Sequence, residues 1–496
     1  MGGPLMPLPP SLPPPSLSLP EVLPLLPAWM ARQRWYTGKG HIPILRIAGA
    51  LRLQDPGGQV DIDIHLLVDE SGQTPTTYQV PLTCRSTRLA GADGALVATM
   101  EPADHGGESR YVYDAPHDPA YARALLALML EEGTATSTGA HGPDGTPGCG
   151  ADGHRLTTTD PGELHASRVL TGEQSNTSII IDLVDTLGDP AEPLICKVFR
   201  VLQPGQNPDV VVQSALSAAG SALVPDSVGY VCGQWQESAD DDSLATGHLA
   251  YAQEFLPGVE DAWRVALAAL ASGTDFTTEA RSLGHATAEV HASLAQAMGT
   301  RQATRDDVSA LKRSMRSRHA AAVSEVPAIA AYDKLVRASI DAVTSASWPA
   351  LQRIHGDYHL GQVLNAPGRG WVLVDFEGEP LRPLAERNQL DLALRDVAGM
   401  LRSFDYVAGS WEQDHRGRSG AQWAAAARTA FLEGYAAGAG RDPRQDAILL
   451  NALELDKALY EVVYEARNRP TWLGIPTTAI ARIARLSEGP RSDLRP

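Results

Sequence analysis

The segment His355-Gly356-Asp357-Tyr358-His359-Leu360-Gly361-Gln362 brings a carboxylate, two imidazoles and an amide into one short run. A second run, Val374-Asp375-Phe376-Glu377, adds two carboxylates a little further on. Phosphoryl transfer has a loose transition state, so a protein catalyst mainly orients the attacking hydroxyl and neutralises charge on the phosphates. The first task wants a carboxylate on a rigid loop; the second wants oxygen ligands that share magnesium. Asp357 would supply the first. Gln362, five positions on, and Asp375, eighteen positions on (375 − 357), would supply the second. The strand, turn and strand between them fold Asp375 back beside Gln362.

A nucleotide must be held as well, and three earlier segments offer groups for it. Leu170–Ser178, with Ser175, Asn176, Thr177 and Ser178, lies between two expected strands and could aim N–H and hydroxyl groups at phosphates. It is not a Walker motif, and an ordinary hairpin turn reads the same way. Lys197, in Leu-Ile-Cys-Lys-Val-Phe, is a lone cation in an apolar strand that either faces solvent or pairs with phosphates. The run Gln253-Glu254-Phe255-Leu256 ends in Pro-Gly, as a hinge offering backbone groups to adenine would, or as an edge strand would.

The elements that must position these residues follow from patterning. Ile44–Leu53, Val60–Val68, Thr77–Leu82, Ala90–Pro102 and Ser109–Asp114 read as strands, and Asp118–Glu132 as a helix. Gly133–Glu163 is dominated by Gly, Thr, Ser, Asp and Pro and reads as an irregular, flexible connection. Strands resume at Ser167–Leu170, Ser178–Val184 and Leu194–Val201. From Thr277 onward the chain is helical, apart from a β-hairpin of Val363–Asn365 and Trp371–Phe376. A β-rich front and a helical back give an α+β, bilobal class. The expected divisions are a disordered Pro-rich leader (1–27), a β-rich cap (28–132), the connection (133–163), a small lobe (164–258) and a helical large lobe (259–496).

Bulk properties narrow the function classes. The chain has 496 residues, a net charge of −18 and 43% hydrophobic residues. That charge works against nucleic-acid binding, which needs a basic face. Four scattered cysteines without C-x-x-C spacing argue against a zinc site or disulfide framework and for a reducing, cytoplasmic setting. No run reaches the ~20 apolar residues of a membrane helix, and the leader has no Lys or Arg before Arg32. The expected partners are therefore small molecules, with the protein a monomer or weak homodimer.

The order of His-Gly-Asp loop, amide and later Asp resembles the aminoglycoside phosphotransferase and choline kinase superfamily. Over Arg353–Ser410 the likeness narrows to the actinobacterial maltokinases and their relatives, the maltokinase-like glucosamine kinases. It extends to RQRWYTGKG, GEQSNTS, KVFRVLQPGQNPDV and LELDKALYEVVYEARNRPTWLGIP. The resemblance implies a kinase fold with an added N-terminal cap, ATP and Mg2+ as cofactors, and a sugar acceptor. Two departures stand out. Maltokinases read HGDLHLGQ where Tyr358 stands here, and carry paired arginines where this chain reads Arg387-Asn388-Gln389. Losing a cation there removes repulsion toward an ammonium-bearing sugar, roughly 1 to 4 kcal/mol at ~4 Å. The helix after Pro208 lacks the usual Glu and leaves Asp209 or Gln213 to pair with Lys197.

The acceptor site can be argued only indirectly. His359, Gln389, Trp411, Glu412 and Glu461 are the candidates for sugar contacts beside Asp357, since an indole suits a pyranose face and a carboxylate an ammonium. Arg395, Asp396, Glu465 and Arg467 read as internal ion pairs. The resulting expectation is phosphorylation of glucosamine to glucosamine 6-phosphate. Maltose 1-phosphate synthesis, aminoglycoside modification and a catalytically dead scaffold are the rivals.

Overall fold

The computed structural model describes residues 19–72, 74–101, 109–137, 149–171, 175–237, 243–379 and 382–486. Residues 1–18 of the expected leader and 138–148 of the expected connection lie outside them, as does Pro102 of the fourth expected strand. By its internal packing the chain divides into two units. One comprises Met1–Val210 and Asp226–Pro257, the other Val211–Pro225 and Gly258–Pro496.

The first unit opens with short helices Leu19–Val22 (α1) and Leu26–Met30 (α2), so residues 19–27 of the expected disordered leader are ordered, with Val22 and Leu26 buried against the cap sheet. Five strands follow: Leu45–Leu53 (β1), Asp61–Asp69 (β2), Thr76–Arg85 (β3), Leu96–Met100 (β4) and Arg110–Asp114 (β5). Helix Pro119–Leu130 (α3) is capped by Asp118, whose carboxylate accepts the Ala120 N–H, and starts with Pro119 where no N–H is needed. Strands Thr134–Ser137 (β6), Gly150–Arg155 (β7), Glu163–Val169 (β8), Asn176–Val184 (β9), Leu194–Phe199 (β10), Val201–Leu202 (β11), Ser227–Gln236 (β12) and Leu244–Glu254 (β13) complete the unit.

One antiparallel sheet runs through it in the order β4-β5-β3-β2-β1-β6-β7-β12-β13-β10-β9-β8, with β11 paired to β3. The expected cap and the expected small lobe therefore share a sheet. The stretch read as an irregular connection contributes β6 and β7, which join them. Gly153 makes this join possible: a Cβ there would lie 1.9 Å from the Leu128 carbonyl oxygen of α3.

Strand β2, Asp-Ile-Asp-Ile-His-Leu-Leu-Val-Asp, is buried on both faces. Ile62, Ile64, Leu66 and Val68 enter a core with α3 residues Tyr121, Leu125 and Met129. On the other face, Leu67 packs with Trp29, Trp35, Tyr36 and Tyr78. Arg200 reaches into this second region fully buried, held by both oxygens of Asp114 at 2.7 and 2.8 Å, by the Thr177 hydroxyl, and over the Trp35 ring. The tryptophan of RQRWYTGKG and the arginine of KVFR thus meet.

Helix Pro208–Ala218 (α4) carries the chain across Val210 into the second unit. There the helices are Ala262–Ser272 (α5), Thr277–Met298 (α6), Arg305–Glu325 (α7), Asp333–Ala342 (α8), Leu384–Arg387 (α9), Leu394–Asp414 (α10), Ala421–Ala439 (α11), Ala447–Asn468 (α12) and Gly474–Leu486 (α13). Short strands Glu260–Asp261 (β14), Thr300–Arg301 (β15), Leu351–Gln352 (β16), Val363–Ala366 (β17) and Gly370–Leu373 (β18) form two small sheets, β14-β17-β18 and β15-β16. The β17–β18 hairpin is the one expected from the sequence, but its second strand ends at Leu373, two residues before Asp375.

Candidate active site

Lys197 sits on β10 directly opposite Ser178 on β9 and Tyr251 on β13. Its ammonium reaches the Asp209 carboxylate at 2.6 Å, and both groups are buried. Between the two substitutes named from sequence, Asp209 is the partner. The Gln213 amide instead turns to the Pro225 carbonyl. The Asn207 side chain accepts the Asp209 N–H and so caps the start of α4, the helix that carries that carboxylate.

The remaining nucleotide candidates divide. Ser178, opposite Lys197, shares its sheet face, while Thr177 points the other way and its hydroxyl accepts from buried Arg200. Thr177 is thus committed to bracing rather than to phosphate. Ser175 is exposed at the bend before β9, and Asn176 opens the strand. Gln253 is buried opposite Ile195, and the Glu254 N–H donates to the Asp226 carbonyl, which removes that donor from an adenine-contacting role. Leu256 follows β13, ahead of the Pro257-Gly258 turn.

In the second unit the His-Gly-Asp loop leaves β16 and is held by its backbone. Asp396, buried in the first turn of α10, accepts the His355 N–H with one oxygen and the Gly356 N–H with the other, at 2.8 and 2.9 Å. His291 adds a third contact to this carboxylate at 3.0 Å. Burial alone would raise the Asp396 pKa; these hydrogen bonds and the neighbouring imidazoles outweigh it and bring it below the ordinary value. Gly356 has φ +86°, and a Cβ there would lie 3.2 Å from the Gly378 Cα, so the loop needs glycine at this point. The His355 ring spans to the Val374 carbonyl at 3.0 Å and packs on Phe376, tying the loop to the segment that carries Asp375.

Gln362 and Asp375 are together. The Gln362 Nε2–H donates to Asp375 Oδ2 at 2.8 Å, and the Val374 N–H donates to the Gln362 carbonyl. Asp375 has φ +68°, one of two non-glycine residues with positive φ among those described. Such a conformation costs energy and concentrates at functional sites.

Asp357 contacts a residue that pattern reading passed over. The Lys457 ammonium on α12 lies 2.8 Å from Asp357 Oδ1 and 3.3 Å from Glu379 Oε1. Glu379 also accepts from Arg318 at 2.8 Å, Arg318 from α7 reaches Asp456, and Asp456 is shared with Arg395, which holds Asp391. Burial would lower the Lys457 pKa, but Asp357 and Glu379 outweigh it and hold it above the ordinary lysine range. Burial would likewise raise Glu379, but Lys457, Arg318 and Arg395 bring it down to about 2. The Tyr460 ring lies 5.0 Å from the Lys457 ammonium and 5.6 Å from the Arg318 guanidinium.

The sugar candidates fare unevenly. His359 sits among these charges; its Nδ1 accepts the Gly361 N–H, and burial lowers its pKa against the pull of Asp357. Glu461, one helical turn beyond Lys457, is engaged by Arg402 at 2.7 and 3.0 Å, although burial keeps its pKa raised. Gln389 is exposed, while its neighbour Asn388 holds buried Arg353 through its side-chain oxygen and its carbonyl. Trp411 and Glu412 do not join the group. They lie fifteen and sixteen residues beyond Asp396 on α10, about 22 Å along the axis. Trp411 stacks on His415, and Glu412 accepts from Ser419 and the Gly420 N–H. Arg395, Asp396 and Glu465 form internal pairs, with Asp391, His291 and Arg469 respectively, whereas Arg467 pairs with Glu325 at the surface rather than inside.

Tyr358, the first departure from the maltokinase pattern, turns into the core. Its hydroxyl meets that of Thr287 at 2.8 Å, and the residue is 2% exposed. It cannot line an acceptor pocket in that position.

Residues 29–118 match the family model described as the maltokinase N-terminal cap domain. The chain is 34% identical over 353 residues to a glucosamine kinase of Streptacidiphilus jiangxiensis, covering 74% of that protein and 65% of this chain. It is 30% identical over 347 residues to a glucosamine kinase of Mycolicibacterium smegmatis, covering 80% of that protein. A solved glucosamine kinase, in complex with glucosamine, ADP and inorganic phosphate, superposes with a TM-score of 0.63. It is 23% identical and covers 92% of this chain and 98% of that one. This is the bilobal kinase-like fold expected from the sequence. With its cap, its His-Gly-Asp loop and this degree of identity, the chain belongs to the glucosamine kinase family of maltokinase-like kinases.

Proposed function

We propose that the chain transfers the terminal phosphoryl group of ATP to a hydroxyl of glucosamine, giving glucosamine 6-phosphate. The observation that carries this reading is Asp357. It stands on a loop whose backbone is clamped by Asp396, and His355 of that loop ties it to the segment where Gln362 and Asp375 pair. The acceptor is supported by the identity to relatives described as glucosamine kinases.

Asp357 orients the attacking hydroxyl and takes its proton late, as a loose transition state requires. An amide oxygen and a carboxylate are hard donors that suit magnesium, so Gln362 and Asp375 are the residues that would hold it. The ion would supply charge neutralisation at the transferring phosphate. In the first unit, Lys197, oriented by Asp209, is the cation for nucleotide phosphates. The Lys457 ammonium already stands 2.8 Å from Asp357, so the electrostatics beside Asp357 do not choose between a neutral and an ammonium-bearing sugar.

The test is ADP release with magnesium and ATP, offering glucosamine, glucose, maltose and kanamycin side by side. Preference for glucosamine supports the reading. Maltose is the second reading, supported by the maltokinase-type cap at residues 29–118. Preference for maltose would replace glucosamine as acceptor and leave the roles of Asp357, Gln362 and Asp375 standing. In that comparison Gln389→Arg should improve use of maltose at the expense of glucosamine; no change in either removes position 389 from the acceptor site.

A further inference from the structure

Asp357 is fixed twice, by different parts of the chain. Asp396 holds the N–H groups of His355 and Gly356, which fixes where the loop runs up to Gly356 but does not touch the Asp357 side chain. Lys457 holds that side chain. Its ammonium binds one carboxylate oxygen, Oδ1, so the other is the one turned to an acceptor hydroxyl. The same ammonium binds Glu379, four residues beyond Asp375. One cation therefore fastens the base and the segment that follows the metal-binding aspartate to a single point on α12.

The arrangement around Lys457 is built rather than incidental. Its side chain is 18% exposed and that of Glu379 2%. Arg318 holds Glu379 from its other side, and Arg318 is itself held by Asp456, the residue preceding Lys457 on α12. A buried ammonium persists only with such compensation, and the raised pKa of Lys457 keeps it charged throughout the neutral range.

We infer that Lys457 is a positioning residue for phosphoryl transfer, holding Asp357 in the rotamer that receives the acceptor proton and tying it to Glu379. This rests on Asp357 being the base. The inference predicts a defect mainly in turnover, because a misplaced Asp357 carboxylate costs most when the acceptor proton moves, whereas substrate binding loses at most one hydrogen bond.

The experiment compares K457M, K457R, E379Q and D357N in the full-length protein, measuring kcat, KM for ATP and glucosamine, and thermal melting. K457M should lose about 100-fold in kcat with KM for each substrate changed less than about threefold. K457R, which can restore an ion pair to Oδ1, should recover at least about tenfold of that loss. E379Q removes the other carboxylate from the same ammonium and should lose at least about tenfold less than K457M.

Three results would overturn the inference: K457M with near-normal kcat, a loss confined to KM, or K457M and E379Q equally impaired without rescue by arginine. The last pattern marks a residue that only braces the fold. If K457M does not fold, the E379Q and K457R comparison decides alone: K457R must turn over within about tenfold of the unaltered protein and E379Q no worse. D357N separates the two ideas. An active D357N sinks the assignment of the base itself, whereas an inactive D357N with a normal K457M sinks only the role of Lys457.

Discussion

The Tyr358 hydroxyl and the Thr287 hydroxyl lie 2.8 Å apart inside the second unit, far into the packing of α6 against the His-Gly-Asp loop. Tyr358 follows Asp357 directly in sequence, yet its ring is buried in the core. Tyr358→Phe should cost about 1 kcal/mol in urea unfolding, since Thr287 keeps its bond to the Leu283 carbonyl. The ranking of acceptor sugars should not move. A changed ranking would put this residue back in the acceptor site.

Asp357→Asn should reduce turnover by at least about 1000-fold while nucleotide affinity, read by calorimetry with ADP, changes less than about threefold. Substantial residual turnover contradicts the assignment of the base.

Trp411→Leu should leave KM for glucosamine within about twofold, because Trp411 lies about 22 Å along α10 from the residue that clamps the loop. A tenfold rise in KM would restore the indole as a sugar platform.

Glu379 sets an acid limit. Its folded pKa, about 2, lies below the ordinary 4.5, so its contribution to stability is complete above about 4.5 and is lost as pH falls through about 2. The gap in unfolding free energy between the unaltered protein and E379Q should be about 3 kcal/mol at pH 6 and shrink steadily from pH 4.5 to pH 2. A gap independent of pH would mean that the carboxylate is not held by its cationic neighbours.

Asp114→Ala strands the fully buried Arg200 guanidinium and should cost about 3 to 5 kcal/mol, measured by urea unfolding. A loss under about 1 kcal/mol would show that Thr177 and Trp35 suffice for Arg200.

How much of this could be read beforehand depended on sequence distance. The His-Gly-Asp loop, Gln362 and Asp375 lie within a short span, so spacing alone brings them together. Most cap strands were legible because alternation is a local property; β1 and β2 begin within a residue of the expected positions. Strands β6 and β7 were missed because a few residues rich in Thr and Gly show no alternation and are strands only by pairing with β1 and β12. Lys457 and Arg318 were visible as charges, but their partners lie far away in sequence on other elements. Nothing local says which acid a helix residue will meet. An indole suits a sugar by its chemistry, but Trp411 lies fifteen residues along α10 from Asp396, which separates it from the loop.

The strand order of the first unit has a consequence for synthesis. Strand β7 closes on β12, which begins only at Ser227, so the cap leaves the ribosome with one sheet edge open. An open edge is a template for a neighbouring nascent chain. The Gly-Ala-Asp-Gly-His-Arg sequence of β7, with two glycines and few bulky apolar groups, is a poor strand for strangers. A weak strand at that position keeps the growing protein waiting for its own β12 rather than pairing with another copy on the same message.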